Sequence, residues 1–236
     1  RTDGADSDDN TTDFTFFEEV SPGAANPGAN TTPAPEPTVE PEPELTPISE
    51  IQGPGDATLL DGQTVTTRGV ITAVYSAGGF DGIYIQTPGT GGTAKDDQAA
   101  SDGIFVYQPT GLDTFEIGQC LEITGTAGEH YSMTQISNVT SAETVEGCDP
   151  VAPTELAEWP TTDAERERYE GMSVQPTGTY TITNNYTLNQ YGSVGLAFGD
   201  EPLYQATDKV RPGTEAEAYE AENQKKAVTL DDGASI

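Results

Sequence analysis

Chemistry needs a nucleophile, a base or a set of metal ligands, and this chain offers few of them. It has one histidine, His130, and two cysteines, Cys120 and Cys148. Neither supports a nucleophile–base pair or a ligand set with recognisable spacing. An isolated cysteine pair in a chain that reads as secreted predicts a disulfide, closing a loop of about 29 residues and contributing roughly 3 kcal/mol. The rival reading of the pair, a metal site, lacks partner ligands. "DSDDN" places Asp6, Asp8 and Asn10 like the start of an EF-hand loop, but Thr11 stands where the glycine is required. It reads as a solvated acidic turn. "TPGTGGTAKDD" (87–97) is glycine-rich, but no Gly-Lys-Ser/Thr follows and its surroundings are β, so it reads as a mobile hairpin loop. Asn-x-Ser/Thr occurs at Asn10, Asn30, Asn138 and Asn185, as Asn/Thr-rich chains produce by chance. No catalytic residue and no metal site are assigned.

Binding is better represented than catalysis. Tyr75, Phe80, Tyr84, Phe105, Tyr107 and Tyr131 fall on or beside β-like segments, where stacking on a flat ligand is the functional reading and core packing the structural one. Alternation sends Ile83 and Ile85 to one face of their strand and Tyr84 and Gln86 to the other. The candidate contact set is Arg68, Tyr75, Phe80, Tyr84, Tyr107, His130 and Tyr131. Arg68 and Lys95 are the only basic residues in this region, too few for a usual single-strand groove.

The elements that must position these residues are strands. "TVTTRGVITAVY" (64–75), "GIYIQT" (82–87), "GIFVYQ" (103–108), "QCLEITGTA" (119–127) and "MTQISNVTSAETVE" (133–146) make five, with glycine or proline at the junctions. Five strands over residues 48–150, with no long helix between the third and fourth, predict a small closed barrel of the OB type. Residues 151–236 predict a second, smaller β module with one or two short helices. One helix is expected at 161–170, where Thr162 and Glu165 form a capping box and Arg166 and Arg168 suit the C-terminal dipole. The structural reading of these arginines competes with contact to phosphate. Another helix is expected at 214–226, with Thr214 and Glu217 as its capping box and Glu222 four residues before Lys226. "DGQTVTTRGVIT" (61–72) and "EGMSVQPTGTYT" (170–181) share four identities in twelve at an offset of 109, which reads as an internal repeat.

Residues 27–47 hold seven prolines and four glutamates, which predicts an extended linker able to span about 60 Å. Residues 1–26 carry one strand-like run, "DFTFFEEV", the tail of a domain begun earlier. The chain opens at Arg1 rather than Met, as a processed or excised piece would.

Charge excludes several function classes. Forty acidic residues against nine basic give a net charge of −31. Such a surface repels phosphate and anionic membranes and suits solubility in a salty or extracellular medium. Cation binding by some carboxylates is the functional alternative. No run approaches the roughly 20 apolar residues of a membrane span.

Taken in order, "ISEIQGPG", "LDGQTVTTRGVITAVY", "GIYIQTP", "SDGIFVY", "GQCLEITGTAGEHYSMTQI", "ERYEGMSV", "NYTLNQYGSVGLAF" and "LDDGAS" resemble the OB-fold region of secreted multidomain nucleases of the ExeM/NucH-like kind. "DGADSDDNTTDFTFFEEVSPGAAN" resembles the last strands of a lamin-tail domain. The resemblance implies a parent enzyme that hydrolyses DNA or RNA phosphodiesters through a downstream endonuclease/exonuclease/phosphatase-type domain using Mg or Ca. None of that domain's catalytic positions exists in this sequence. The chain is therefore expected to be a non-catalytic accessory region that positions the nuclease domain in cis and binds DNA or RNA weakly. A cell-surface spacer or adhesion module binding glycan or protein is the alternative.

Overall fold

The computed structural model describes residues 44–96 and 99–233. The lamin-tail-like segment, the Asp6 cluster and most of the linker lie outside the described residues. The linker's last residues do not: the backbone N–H of Thr46 donates to the carbonyl of Thr66 at 2.7 Å, so chain assigned to the linker already lies against the first strand.

Five strands close a barrel: β1 (Thr64–Tyr75), β2 (Gly82–Gln86), β3 (Gly103–Tyr107), β4 (Cys120–His130) and β5 (Met133–Val145), in the order β1-β2-β3-β5-β4 and back to β1. This is the OB arrangement. β1 is long because it serves two partners. Its first half pairs with β4 and its second with β2, and a register shift between Ile71 and Ala73 turns the corner. Gly69 sits just before that corner, where a Cβ would come within 2.9 Å of Ile85. β3 and β5 pair in parallel, Phe105 opposite Gln135 and Val106 opposite Ile136. The crossover between β3 and β4 carries only a 3₁₀ turn at Leu112–Thr114.

The core follows from period-2 alternation. Ile71, Ile83, Ile85, Ile104, Val106, Leu121, Ile123 and Ile136 all point inward and are almost fully buried. A helix absent from the sequence reading, α1 (Ile48–Gln52), joins this core through Ile48 and Ile51. At five residues it is too short to show a helical period, though Pro47 before it and Gly53 (φ 77°) after it are its start and stop signals.

The remaining strands form two small sheets: β6 (Thr154–Leu156) parallel to β7 (Val174–Pro176), and β8 (Tyr180–Asn184), β9 (Val194–Phe198) and β10 (Ala227–Leu230) in the order β10-β9-β8. Trp159, Tyr180 and Phe198 stack in series here. The fold is thus mostly β, a barrel followed by smaller sheets. Four helices accompany the latter: α2 (Asp163–Glu167), α3 (Leu188–Tyr191), α4 (Ala206–Lys209) and α5 (Thr214–Lys226). One or two were expected; α3 and α4 are single turns without a periodic signal.

Local expectations fared differently. The capping box at Thr162 and Glu165 is complete, and hydrogen bonds from the Thr161 and Thr162 backbone lower the Glu165 carboxyl to about 2. At α5 the N-cap is Gly213 with no side-chain cap, so the box expected from Thr214 and Glu217 does not form. Glu222 pairs with Lys225 at 2.6 Å, one residue short of Lys226. The two repeat copies share their opening turn, Gly62 at φ 74° and Gly171 at φ 68°. They then diverge: Gly69 lies inside a twelve-residue strand, whereas Gly178 turns at φ 100° after a strand of three. The loop expected to be mobile is docked instead. Gly89 and Gly92 donate backbone bonds to Asp149 and Pro153, and Ala152 and Glu155 donate back to Thr90 and Gly92. Lys95 also pairs with Asp102.

Cys120 and Cys148 form the disulfide. Cys120 opens β4 opposite Val70 and Val145, so the bridge fastens the chain leaving the barrel to a central strand. Among the described residues no helix is long and apolar enough to cross a membrane.

Candidate ligand-binding groove

The inward isoleucines dictate what faces out. On β2 this is Tyr84, on β3 Phe105 and Tyr107, and on β5 Met133, Gln135 and Ser137. Register then lines them up: Tyr84 stands opposite Phe105, and Phe105 opposite Gln135. Phe80, from the β1–β2 loop, folds back over this row. Its ring lies 4.6 Å from Phe105, 5.1 Å and edge-on from Tyr75, and 6.1 Å from Tyr84. Gly82 makes room beneath, since a Cβ there would run into the Phe105 ring.

Between this aromatic floor and the β4–β5 hairpin runs an open groove of about 770 Å³. Phe80, Phe105 and Tyr107 line one side; His130 and Tyr131 rise from the hairpin tip, their rings 4.4 Å apart. Tyr131 is 94% exposed. The polar lining comes from Gln108, Gln135, Ser137 and Asn138. Among the described residues, no Asp, Glu, Lys or Arg lines the groove.

The backbone around it is strained. His130 pairs with Met133, leaving Tyr131 (φ 51°) and Ser132 (φ 61°) as a two-residue turn with both residues left-handed. That geometry normally selects Asn-Gly. Asn138 (φ 46°) sits at the register shift of β5, and Gln108 (φ 45°) accompanies Asp81 (φ 52°), whose carbonyl accepts from the Gln108 N–H at 2.8 Å. These five are all the non-glycine residues with positive φ among the described residues, and each lines the groove or adjoins a residue that does. Such conformations cost about 1–3 kcal/mol each and cluster at functional sites.

A second cavity, about 500 Å³, lies across Phe80 and is lined by Tyr75, Tyr84, Tyr191, Ser193 and Asp231. Burial first, then Tyr75 and the Glu170 carboxylate, push the Tyr84 phenol up to about 12. It stays protonated and donates to Met133 Sδ at 3.4 Å, so it is a packing group with no acid–base role at neutral pH.

Of the sequence-derived candidates, Phe80, Tyr107, His130 and Tyr131 come together in the groove, and Tyr75 and Tyr84 line the adjoining cavity. Arg68 lines neither. It faces Glu122 across the β1–β4 ladder and pairs with it at 2.8 Å. Arg166 serves structure: its guanidinium donates to the carbonyls of Pro160 and Gln224, the latter in the last turn of α5. Sequence reasoning missed Gln108, Gln135, Ser137 and Asn138. Alternation along β5 was the available signal for Gln135 and Ser137; nothing announced the register shift that brings in Asn138.

The other perturbed group is Glu170, after α2. One carboxylate oxygen accepts from the Thr134 N–H at 2.9 Å and from Gln52 Nε2 at 3.3 Å. Burial, followed by repulsion from Glu167, pushes it up to about 7. It ties α1 to β5 and faces neither cavity. Among the described residues no group of three or more His, Cys, Asp or Glu stands in metal-binding geometry.

No protein-family model matches the chain, and no curated protein matches it. Among solved structures it is similar to the hypothetical protein ygiW from E. coli, with a TM-score of 0.30 and 21% identity over 44% of this chain and 94% of that one. The groove's chemistry therefore has to be read from its own geometry.

Proposed function

We propose that this chain is the non-catalytic, ligand-binding region of a secreted nuclease, the class its sequence motifs resemble. The observation that carries the binding role is the aromatic groove on the outer barrel face, between the β1–β2 and β4–β5 loops. Barrels of this type bind polymers there, by stacking flat units on exposed rings. The disulfide suits an extracellular setting. Phosphodiester hydrolysis belongs to a downstream domain in cis, whose Mg or Ca and ligands lie outside this chain. The role of this region is to position that domain and hold a polymer close to it.

The test joins the two parts. In the full-length enzyme, Phe80→Ala with Tyr131→Ala weakens polymer binding by the groove at least several-fold and leaves kcat on a dinucleotide unchanged. Unchanged polymer binding by the double variant would remove the groove from the protein's function. Incubating this chain alone with plasmid and Mg²⁺ gives no cleavage; nicking that persists through repurification would refute the non-catalytic assignment.

The alternative, an adhesion module that binds glycan, draws support from one feature of the same groove: its lack of charge.

A further inference from the structure

Resting on the reading of the groove as a binding face, we infer that its ligand is a neutral oligosaccharide segment, with sugar rings stacked on Tyr131, Tyr107 and Phe80 and hydroxyls bonded to Gln108, Gln135 and Asn138.

Charge comes first. A fifth of this chain is Asp, Glu, Lys or Arg, yet none of the groove's lining residues is. A phosphate or uronate polymer needs cations at the site. The groove offers a single imidazole, His130, against a polymer's row of charges, and the Arg and Lys of the barrel region are committed elsewhere, Arg68 to Glu122 and Lys95 to Asp102. The field of a −31 chain opposes any anion further. A cationic ligand would call for carboxylates, and the lining has none. What remains is a neutral ligand.

The polar lining then says what kind. Gln108, Gln135, Ser137 and Asn138 present three amides and a hydroxyl along the groove, Gln135 from a side chain only 9% exposed. Amides and hydroxyls both donate and accept, which is what a sugar hydroxyl presents in return. A purely apolar ligand would leave these groups unsatisfied. An extended peptide binding by strand addition would need a free sheet edge, and the closed barrel has none. The volume of about 770 Å³ falls within the range of about 300–1,000 Å³ typical of such sites.

The left-handed turn at Tyr131 and Ser132 fits this assignment. A tyrosine in that conformation, rather than the Asn-Gly pair that would relax it, sets a large exposed ring on the groove's rim beside His130.

Isothermal titration of the full chain decides the matter. The probes are neutral hexasaccharides (β-1,4-glucose, α-1,4-glucose, β-1,4-xylose and β-1,4-N-acetylglucosamine), hexagalacturonate and the oligonucleotide dT12. At least one neutral hexasaccharide binds in the micromolar to millimolar range, with a Kd that changes less than twofold between 50 and 500 mM NaCl. Tyr131→Ala weakens it at least tenfold, and Gln135→Ala does the same. If Gln135→Ala fails to fold, the exposed Tyr131 variant carries the test by itself. Binding of dT12 or hexagalacturonate that is lost in Tyr131→Ala, with no neutral sugar bound, overturns the neutral-glycan assignment while supporting the groove as a binding face. No binding by any probe overturns both.

Discussion

The ring of Phe80, carried on the β1–β2 loop, rests 4.6 Å from the ring of Phe105 on β3. The Phe105 ring fits against the barrel wall because Gly82, two residues before its ladder partner Tyr84, has no side chain; a Cβ there would occupy the space of the ring. One missing side chain thus sets the floor of the groove and the seat of its loop.

Gly82→Ala follows directly. The methyl displaces Phe105 and with it Phe80. An overpacked site of this kind loses about 1–3 kcal/mol, measurable as a lower urea midpoint, and groove binding weakens in parallel. Unchanged stability would mean that Phe105 is free to move and that the floor is not fixed.

The hairpin tip trades stability for ligand contact. Replacing Tyr131 and Ser132 by Asn and Gly supplies the residues that a type I′ turn prefers. Relief of two left-handed conformations stabilises the protein by about 1–2 kcal/mol, raising the melting temperature. Ligand affinity falls because the exposed ring is gone. A variant that is less stable, or that binds as well as the parent, would contradict this reading of the strain.

Glu170 makes stability depend on pH. Its carboxyl is raised to about 7 in the fold by burial and by Glu167, with Glu129 adding to the repulsion and bonds from Thr134 and Gln52 opposing it. A carboxyl raised above its ordinary value is held in its protonated form. Its contribution is complete below the ordinary value of about 4.5 and is lost as pH rises through about 7. The urea midpoint therefore falls between pH 5.5 and 8.5. Glu170→Gln removes a share of that fall amounting to roughly 1 kcal/mol, after allowing for solvent screening. Repulsion within the −31 chain depends on pH too, so the comparison of the two proteins is the measurement. Identical pH slopes would show Glu170 to be uncoupled from folding.

The Cys120–Cys148 bridge closes a loop with a sequence separation of 28. Changing both cysteines to serine costs about 3 kcal/mol, chiefly by freeing the unfolded chain. Binding at the groove, which neither cysteine lines, survives at temperatures where the variant is folded. Loss of binding by the folded variant would tie the bridge to the site.

Much of this architecture is legible in the chain. Thr/Val-rich runs and glycine punctuation mark the five barrel strands, and alternation separates Ile83 and Ile85 from Tyr84. Contacts between distant residues are not legible. Nothing in the sequence pairs Arg68 with Glu122, because that depends on the β1–β4 register. Nothing docks Gly89–Gly92 onto residues 149–155, because those backbone bonds involve no side-chain pattern. Asn138 enters the groove only through a shift in register, and α1 is too short to have a period. The aromatic candidates were found because ring residues are conspicuous. Of the amides beside them, Gln135 was open to the alternation of β5, whereas Gln108 and Asn138 depend on a loop and a register shift that leave no pattern in the chain.

The most direct test of the binding face is an amide chemical-shift titration of the ¹⁵N-labelled chain with the neutral hexasaccharides. Shifts centred on Gln108, Tyr131, Gln135 and Asn138, with the surroundings of Arg68 silent, are the predicted result. Shifts centred on Arg68 and Glu122, or on the helix Thr214–Lys226, would contradict it.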